Sequence, residues 1–164
     1  LALISSIFSK SKILIPFREP IQHSYSLLTQ HKKFIQESKH DKFISNYMKW
    51  IGHTEFGPHY VPITEQKLNF NNYLDINHWL EQWYLSYHNV FQLFKNNQNV
   101  FFISYEKLCS DKEYWHQIQK IAKINETYDF EFKESKKEIS LNIERELSDK
   151  AYTLFFDLNS LILN

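Results

Sequence analysis

Glycine is scarce in this chain: of 164 residues, only Gly52 and Gly57 lack a side chain. Backbone N–H groups ring a phosphate only where no side chain obstructs them, so these two positions cannot build a glycine-rich phosphate loop. Cysteine is scarcer still. The single Cys109 excludes an intramolecular disulfide framework and suits a reducing, cytoplasmic setting; following a strand, it reads as a packed residue. Net charge is also missing, because 19 basic residues balance 19 acidic ones. That excludes a broad electrostatic footprint for nucleic acid or an anionic membrane, and makes any basic site a local one. No apolar run reaches the length of a membrane span, and Leu1 to Phe8 is short and lacks the basic leader of a signal peptide. Eight histidines raise the question of a metal. His53 and His59 flank Glu55, yet their spacing fits no zinc pattern and no second cysteine supports one, so no metal site is expected.

What the chain does have is a large apolar share, 43% hydrophobic and 17% aromatic, enough for one core. Its length suits one domain over 1–164 rather than two. The pattern along it alternates strands with helices. Leu1 to Phe8 reads as the end of a helix and Lys12 to Phe17 as a strand. Helices are expected over about Pro20 to Glu37 and about Asp41 to Ile51, the second capped by Asp41 and stopped by Gly52, the two forming a hairpin. Gly52 to Leu74 holds both glycines with Pro58 and Pro62 and reads as one long irregular loop of functional character. Asp75 caps a helix of about Ile76 to Phe94, with Trp79, Trp83, Tyr87 and Val90 on one face as core. After the break at Asn96 to Asn99 come a second strand, Val100 to Ser104, and a helix of about Lys112 to Ile124. Ser148 can cap a last helix, Asp149 to Leu163, with Ala151, Leu154, Phe155, Leu158 and Leu161 inward. The lysines 133, 136 and 137 read as a solvated charged face. The pattern is α/β: about two parallel strands in a mostly helical chain.

The stretch from Lys12 to Phe34, KILIPFREPIQHSYSLLTQHKKF, holds the most chemistry. Ile13 to Phe17 is apolar on both faces, as an interior parallel strand covered on both sides would be. Pro20 suits the first turn of a helix, and Ile21, Tyr25, Leu28, His31 and Ile35 recur at helical spacing. Ligands of open parallel sheets lie beyond the carboxyl ends of the strands, and a helix N-terminus favours an anion there. Arg18 therefore stands where a phosphate would, with Ser26 able to donate a hydroxyl to the same group. The same residue types also serve a structural arginine paired with a carboxylate, with Ser24 and Ser26 on an ordinary helix surface. If both strands share one parallel sheet, Arg18 and Tyr105 meet on one rim.

Strand, Arg18, one residue, Pro20, then Ser26 eight residues after the arginine resembles the element that holds the 3′-phosphate in sulfotransferases dependent on 3′-phosphoadenosine 5′-phosphosulfate (PAPS). FFISYEKL, Phe101 to Leu108, is similar to that family's later strand ending in Tyr-Glu-x-Leu, whose tyrosine, here Tyr105, lies near the adenine. The W-x-x-x-W helix around Trp79 and Trp83 also resembles the family, and the segment WIGHTEFGPHYVPI, Trp50 to Ile63, is similar to a loop in bacterial-type members. The resemblance implies a P-loop-type parallel sheet and transfer of a sulfuryl group from PAPS to a hydroxyl or amine of a small-molecule, glycan or lipid acceptor. It implies cofactor contacts from Arg18, Ser26 and Tyr105, and makes the long loop the acceptor-side lid. A base close to the attacking group would come from His53 or Glu55. The family's phosphate-cradling loop, with its lysine, precedes everything matched in this sequence. The expectation is thus the carboxyl-terminal portion of such a domain, truncated on its N-terminal side and inactive in isolation. The other reading is a noncatalytic remnant or helical interaction module.

Overall fold

The computed structural model describes residue 7, residues 10–124 and residues 128–162. The apolar piece expected over Leu1 to Phe8 falls, residue 7 excepted, outside them. The described residues form a mixed α/β arrangement, largely helical, with a two-stranded parallel sheet. In chain order they are β1 (Ile13–Phe17), α1 (Pro20–His40), α2 (Lys42–Trp50), α3 (Ile76–Phe94), β2 (Val100–Ser104), α4 (Tyr105–Ser110), α5 (Lys112–Ile121) and α6 (Arg145–Ser160).

The strands pair in parallel from Ile13 opposite Val100 to Phe17 opposite Ser104. The Ile13 N–H donates to the Asn99 carbonyl at 2.8 Å. Successive residues of a strand turn their backbone groups to opposite sides, so Ile13, Ile15 and Phe17 face β2 while Leu14 and Pro16 face away. Pro16 thus sits where its missing N–H costs no ladder bond. Its carbonyl is taken by the Tyr87 hydroxyl at 2.8 Å. On the far side of β2 the Tyr114 hydroxyl accepts from the Ser104 N–H at 3.2 Å and donates to the Phe102 carbonyl at 3.4 Å. A tyrosine hydroxyl thus occupies each outer edge of the sheet. The expectation that β1 is covered on both faces is corrected. Ile15 and Phe17 are buried while Leu14 and Pro16 are exposed, the alternation of a strand with one face against a core.

Helix ends follow local capping. Asp41, the one residue between α1 and α2, accepts from the Phe43 N–H at 2.8 Å. Gly52, at φ +72°, closes the other end of α2, its N–H donating to the Lys49 carbonyl. Helix α1 runs to His40, beyond the expected Glu37. Helix α3 spans the expected residues, with Asp75 accepting from the Asn77 N–H. The segment after β2 departs from expectation: Tyr105 to Ser110 is itself a short helix, capped by Ser104, and Asp111 both closes it and caps α5. Helix α5 stops at Ile121, short of the expected Ile124, where Lys123 turns left-handed at φ 56°. Helix α6 starts at Arg145, not Asp149. The carboxylate of Glu144, rather than Ser148, receives the N–H groups of Glu146 and Leu147, at 3.1 and 2.6 Å. Of its expected inward residues Ala151, Leu154 and Leu158 are buried; Leu161 lies beyond the helix and is exposed.

The chain divides into two compact units. One comprises Leu1–Glu19, Tyr87–Lys137 and Tyr152–Asn164. Its core includes Ile103, Tyr114 and Ile118, with Phe101, Leu108, Trp115 and Ile162 packed around them. The other comprises Pro20–Ser86 and Glu138–Ala151. There Leu28, Ile76 and Trp79 are buried under Ile21, Tyr25, Phe56, Tyr60, Ile139 and Ile143. No helix among the described residues is long and apolar enough to cross a membrane.

Candidate functional site

Parallel pairing places the residues after both strands on one rim. The Arg18 guanidinium lies 4.7 Å from the centre of the Tyr105 ring, a cation over an aromatic face. Among the described residues Arg18 forms no ion pair; one of its terminal N–H groups donates to the Ser135 carbonyl. Most of the five donors of its fork stay uncommitted, and its charge has no carboxylate against it. The structural alternative, an arginine held by an acid, is not what the geometry displays.

Tyr105 is held by the same extended segment. Its hydroxyl donates to the Lys133 carbonyl at 2.9 Å and accepts from the Ser135 N–H at 3.0 Å. Burial raises its phenol above the ordinary value and Cys109 adds to that, while the Ser135 N–H and Arg18 pull the other way. The group stays protonated at neutral pH and serves as a donor. Lys133, Lys136 and Lys137 are exposed, as a solvated charged face should be. Glu19 and Glu106, which follow Arg18 and Tyr105 in the chain, make bonds that sequence reasoning missed. The Glu19 N–H donates to Glu106 at 2.9 Å, the Ser104 hydroxyl donates to the same carboxylate at 3.3 Å, and the Tyr152 hydroxyl donates to the Glu19 side chain. Burial, then Glu19, pushes the Tyr152 phenol up. The acidic first turn of α4 was the only sequence signal of Glu106; nothing local marks Tyr152, more than 130 positions from Glu19.

Ser26 lies exposed on α1, in the second unit, and its neighbour Ser24 is buried, donating to the Pro20 carbonyl at 2.7 Å. The structure thus brings Arg18 and Tyr105 together within one unit, and Ser26 belongs to the other. His53 and Glu55 are also in the second unit and hydrogen-bond to each other at the surface. That bond is the main cause lowering the Glu55 pKa. No group of three or more metal-ligating side chains assembles among the described residues.

The loop from Gly52 to Leu74 is irregular as expected, and it is pinned rather than free. His78 bonds the Tyr60 hydroxyl at 2.7 Å through Nε2 and the Phe70 carbonyl at 2.6 Å through Nδ1, which makes Nδ1–H a donor. The Trp79 indole donates to the Tyr73 carbonyl at 2.9 Å, and the buried Glu81 carboxylate collects the N–H groups of Asn69 and Phe70 with the Asn69 amide. His31, fully buried, accepts from the Gly57 N–H at 3.2 Å through Nδ1. Its ring lies among Tyr60, Tyr73 and Trp79, with centroids 5.0 to 5.3 Å away, and its Nε2 has no hydrogen-bond partner among the described residues. Burial, then the neighbouring His78 and Lys32, lowers its pKa below 6.5.

Compared with known proteins, the chain matches no family model, no curated protein and no solved structure at a significant level.

Proposed function

We propose that this chain carries the 3′-phosphate and adenine side of the cofactor site of a PAPS-dependent sulfotransferase. The observation behind this reading is the Arg18 guanidinium, which has no carboxylate partner among the described residues, lying against the Tyr105 ring at the shared carboxyl-terminal rim of two parallel strands. A cation with unspent donors suits a phosphate, and a flat ring beside it suits a purine. In this reading the strands belong to a P-loop-type sheet, and the setting is cytoplasmic. The acceptor hydroxyl or amine attacks sulfur, the S–O bond to the donor breaks, adenosine 3′,5′-bisphosphate leaves, and the acceptor's proton passes to a base.

Titration calorimetry with adenosine 3′,5′-bisphosphate tests the reading. A charge-assisted contact of this kind is worth about 1.5 to 3 kcal/mol, so Arg18→Ala should weaken binding at least about tenfold. Equal affinity in the two forms would remove Arg18 from the site. A second reading, a noncatalytic interaction module, is favoured by one observation: the Lys133 to Ser135 backbone already holds both Arg18 and Tyr105. No binding of the bisphosphate by the unmodified chain selects it.

A further inference from the structure

Helix α2 faces outward with the wrong residues for an ordinary surface helix. Phe43, Tyr47 and Trp50 follow one another at steps of four and three, which puts them on one side, and Phe43 and Trp50 are 63% and 76% exposed. The Phe43 and Tyr47 rings stack on each other at 5.9 Å, and neither is covered. Ile44 and Met48, on another side of the helix, are half-buried. Lys42 and Lys49, both exposed, lie seven positions apart and so share a flank of the aromatic stripe, with Lys39 exposed just before the helix. Among the described residues none of these lysines forms an ion pair. The helix itself contains no acid; Asp41 spends its carboxylate on the helix cap, and Glu37 is paired with Lys33 at 3.7 Å.

We propose that this face of α2, with Phe43, Tyr47 and Trp50 bordered by Lys42 and Lys49, docks on an anionic lipid surface. Aromatic rings with a polar edge settle at the headgroup level of a bilayer, and lysines beside them meet the anionic headgroups. The charge argues against an antiparallel second copy as occupant. A two-fold contact with the helices antiparallel would bring its lysine flank against its own counterpart. The site is local, as a chain of zero net charge requires, and the helix lies along the surface without crossing it. The inference is independent of the cofactor reading.

Sedimentation of the 164-residue chain with vesicles tests it, using phosphatidylcholine alone and phosphatidylcholine with about a third phosphatidylserine. Binding is expected to the anionic vesicles only, with a blue shift of tryptophan emission that Trp50→Phe removes, and with release at about 1 M salt. Each lysine at an anionic surface contributes about fivefold, so Lys42→Glu with Lys49→Glu should weaken binding more than about tenfold. Phe43→Ser with Trp50→Ser should do the same while leaving circular dichroism and the melting temperature unchanged, since both positions are exposed. Absence of binding to anionic vesicles, equal binding to neutral ones, or indifference to both double substitutions overturns the proposal. So does a dimer in sedimentation equilibrium that Phe43→Ser with Trp50→Ser dissolves.

Discussion

At the scale of single residues, Tyr105 does two things that substitution separates. Its ring faces Arg18 and its hydroxyl holds the backbone at Lys133 and Ser135. In the proposed reading only the ring serves the purine. Tyr105→Phe should therefore keep the affinity for adenosine 3′,5′-bisphosphate within about twofold while speeding amide exchange at Ser135, because only a net bond of about 1 kcal/mol is lost; Tyr105→Ala should lose the affinity. An affinity that falls equally in both would assign the binding to the hydroxyl instead. His31 offers a different test. It is buried and neutral, and its pKa in the folded chain is below 6.5. The unfolded chain therefore binds the proton more readily. The contribution of His31 to stability is fully present above about pH 6.5 and is lost as the pH falls towards its folded value, by up to about 1.4 kcal/mol per pH unit. Urea denaturation between about pH 7 and 5 should show that decline, and His31→Gln, which can still accept from the Gly57 N–H, should flatten it. An unchanged slope in the variant would place the acid sensitivity elsewhere.

At the scale of elements, the ends of helices carry the energetics that can be measured. Glu144 supplies the first turn of α6 with its acceptors, and Glu144→Ala should cost about 1 kcal/mol, read as a lower melting temperature with faster exchange at the Glu146 and Leu147 amides. If Ser148 were the true cap, Ser148→Ala would show that loss in its place. The start of α6 has no sequence signature of the usual kind. Serine, threonine, aspartate and asparagine dominate caps, and a glutamate acting through its longer side chain carries no such signature. The strands and α3 were legible because apolar periodicity and flanking caps agreed, as did Asp41 and Gly52 around α2. Helix α4 was not, since six residues offer too little periodicity to separate a helix from the end of a strand. Of the site, parallel pairing was enough to bring Arg18 to Tyr105. The segment from Lys133 to Ser135 meets Tyr105 from 28 to 30 positions further along the chain, beyond α4 and α5, and no local pattern encodes such a return.

At the scale of the whole molecule, each compact unit is assembled from stretches far apart in the chain. The unit around Leu28 and Trp79 draws Ile139 and Ile143 into its core, and Asn77 bonds the Asn142 carbonyl and the Glu144 N–H at 3.1 and 2.8 Å. A fragment limited to Pro20–Ser86 lacks all of these. It should show little cooperative melting by circular dichroism, and a peptide covering 138–151 should restore part of it; a sharp transition in the fragment alone would mean that the late segment is dispensable. The sheet of the other unit has a consequence of its own. Two paired strands leave two rows of backbone groups able to template a neighbouring chain, the geometry from which cross-β fibrils grow. One row is interrupted by Pro16 and its carbonyl is held by Tyr87; on the other, the Tyr114 hydroxyl stands where an incoming strand would place its own N–H and C=O. The Tyr87 and Tyr114 hydroxyls thus occupy backbone groups that an incoming strand would otherwise pair with.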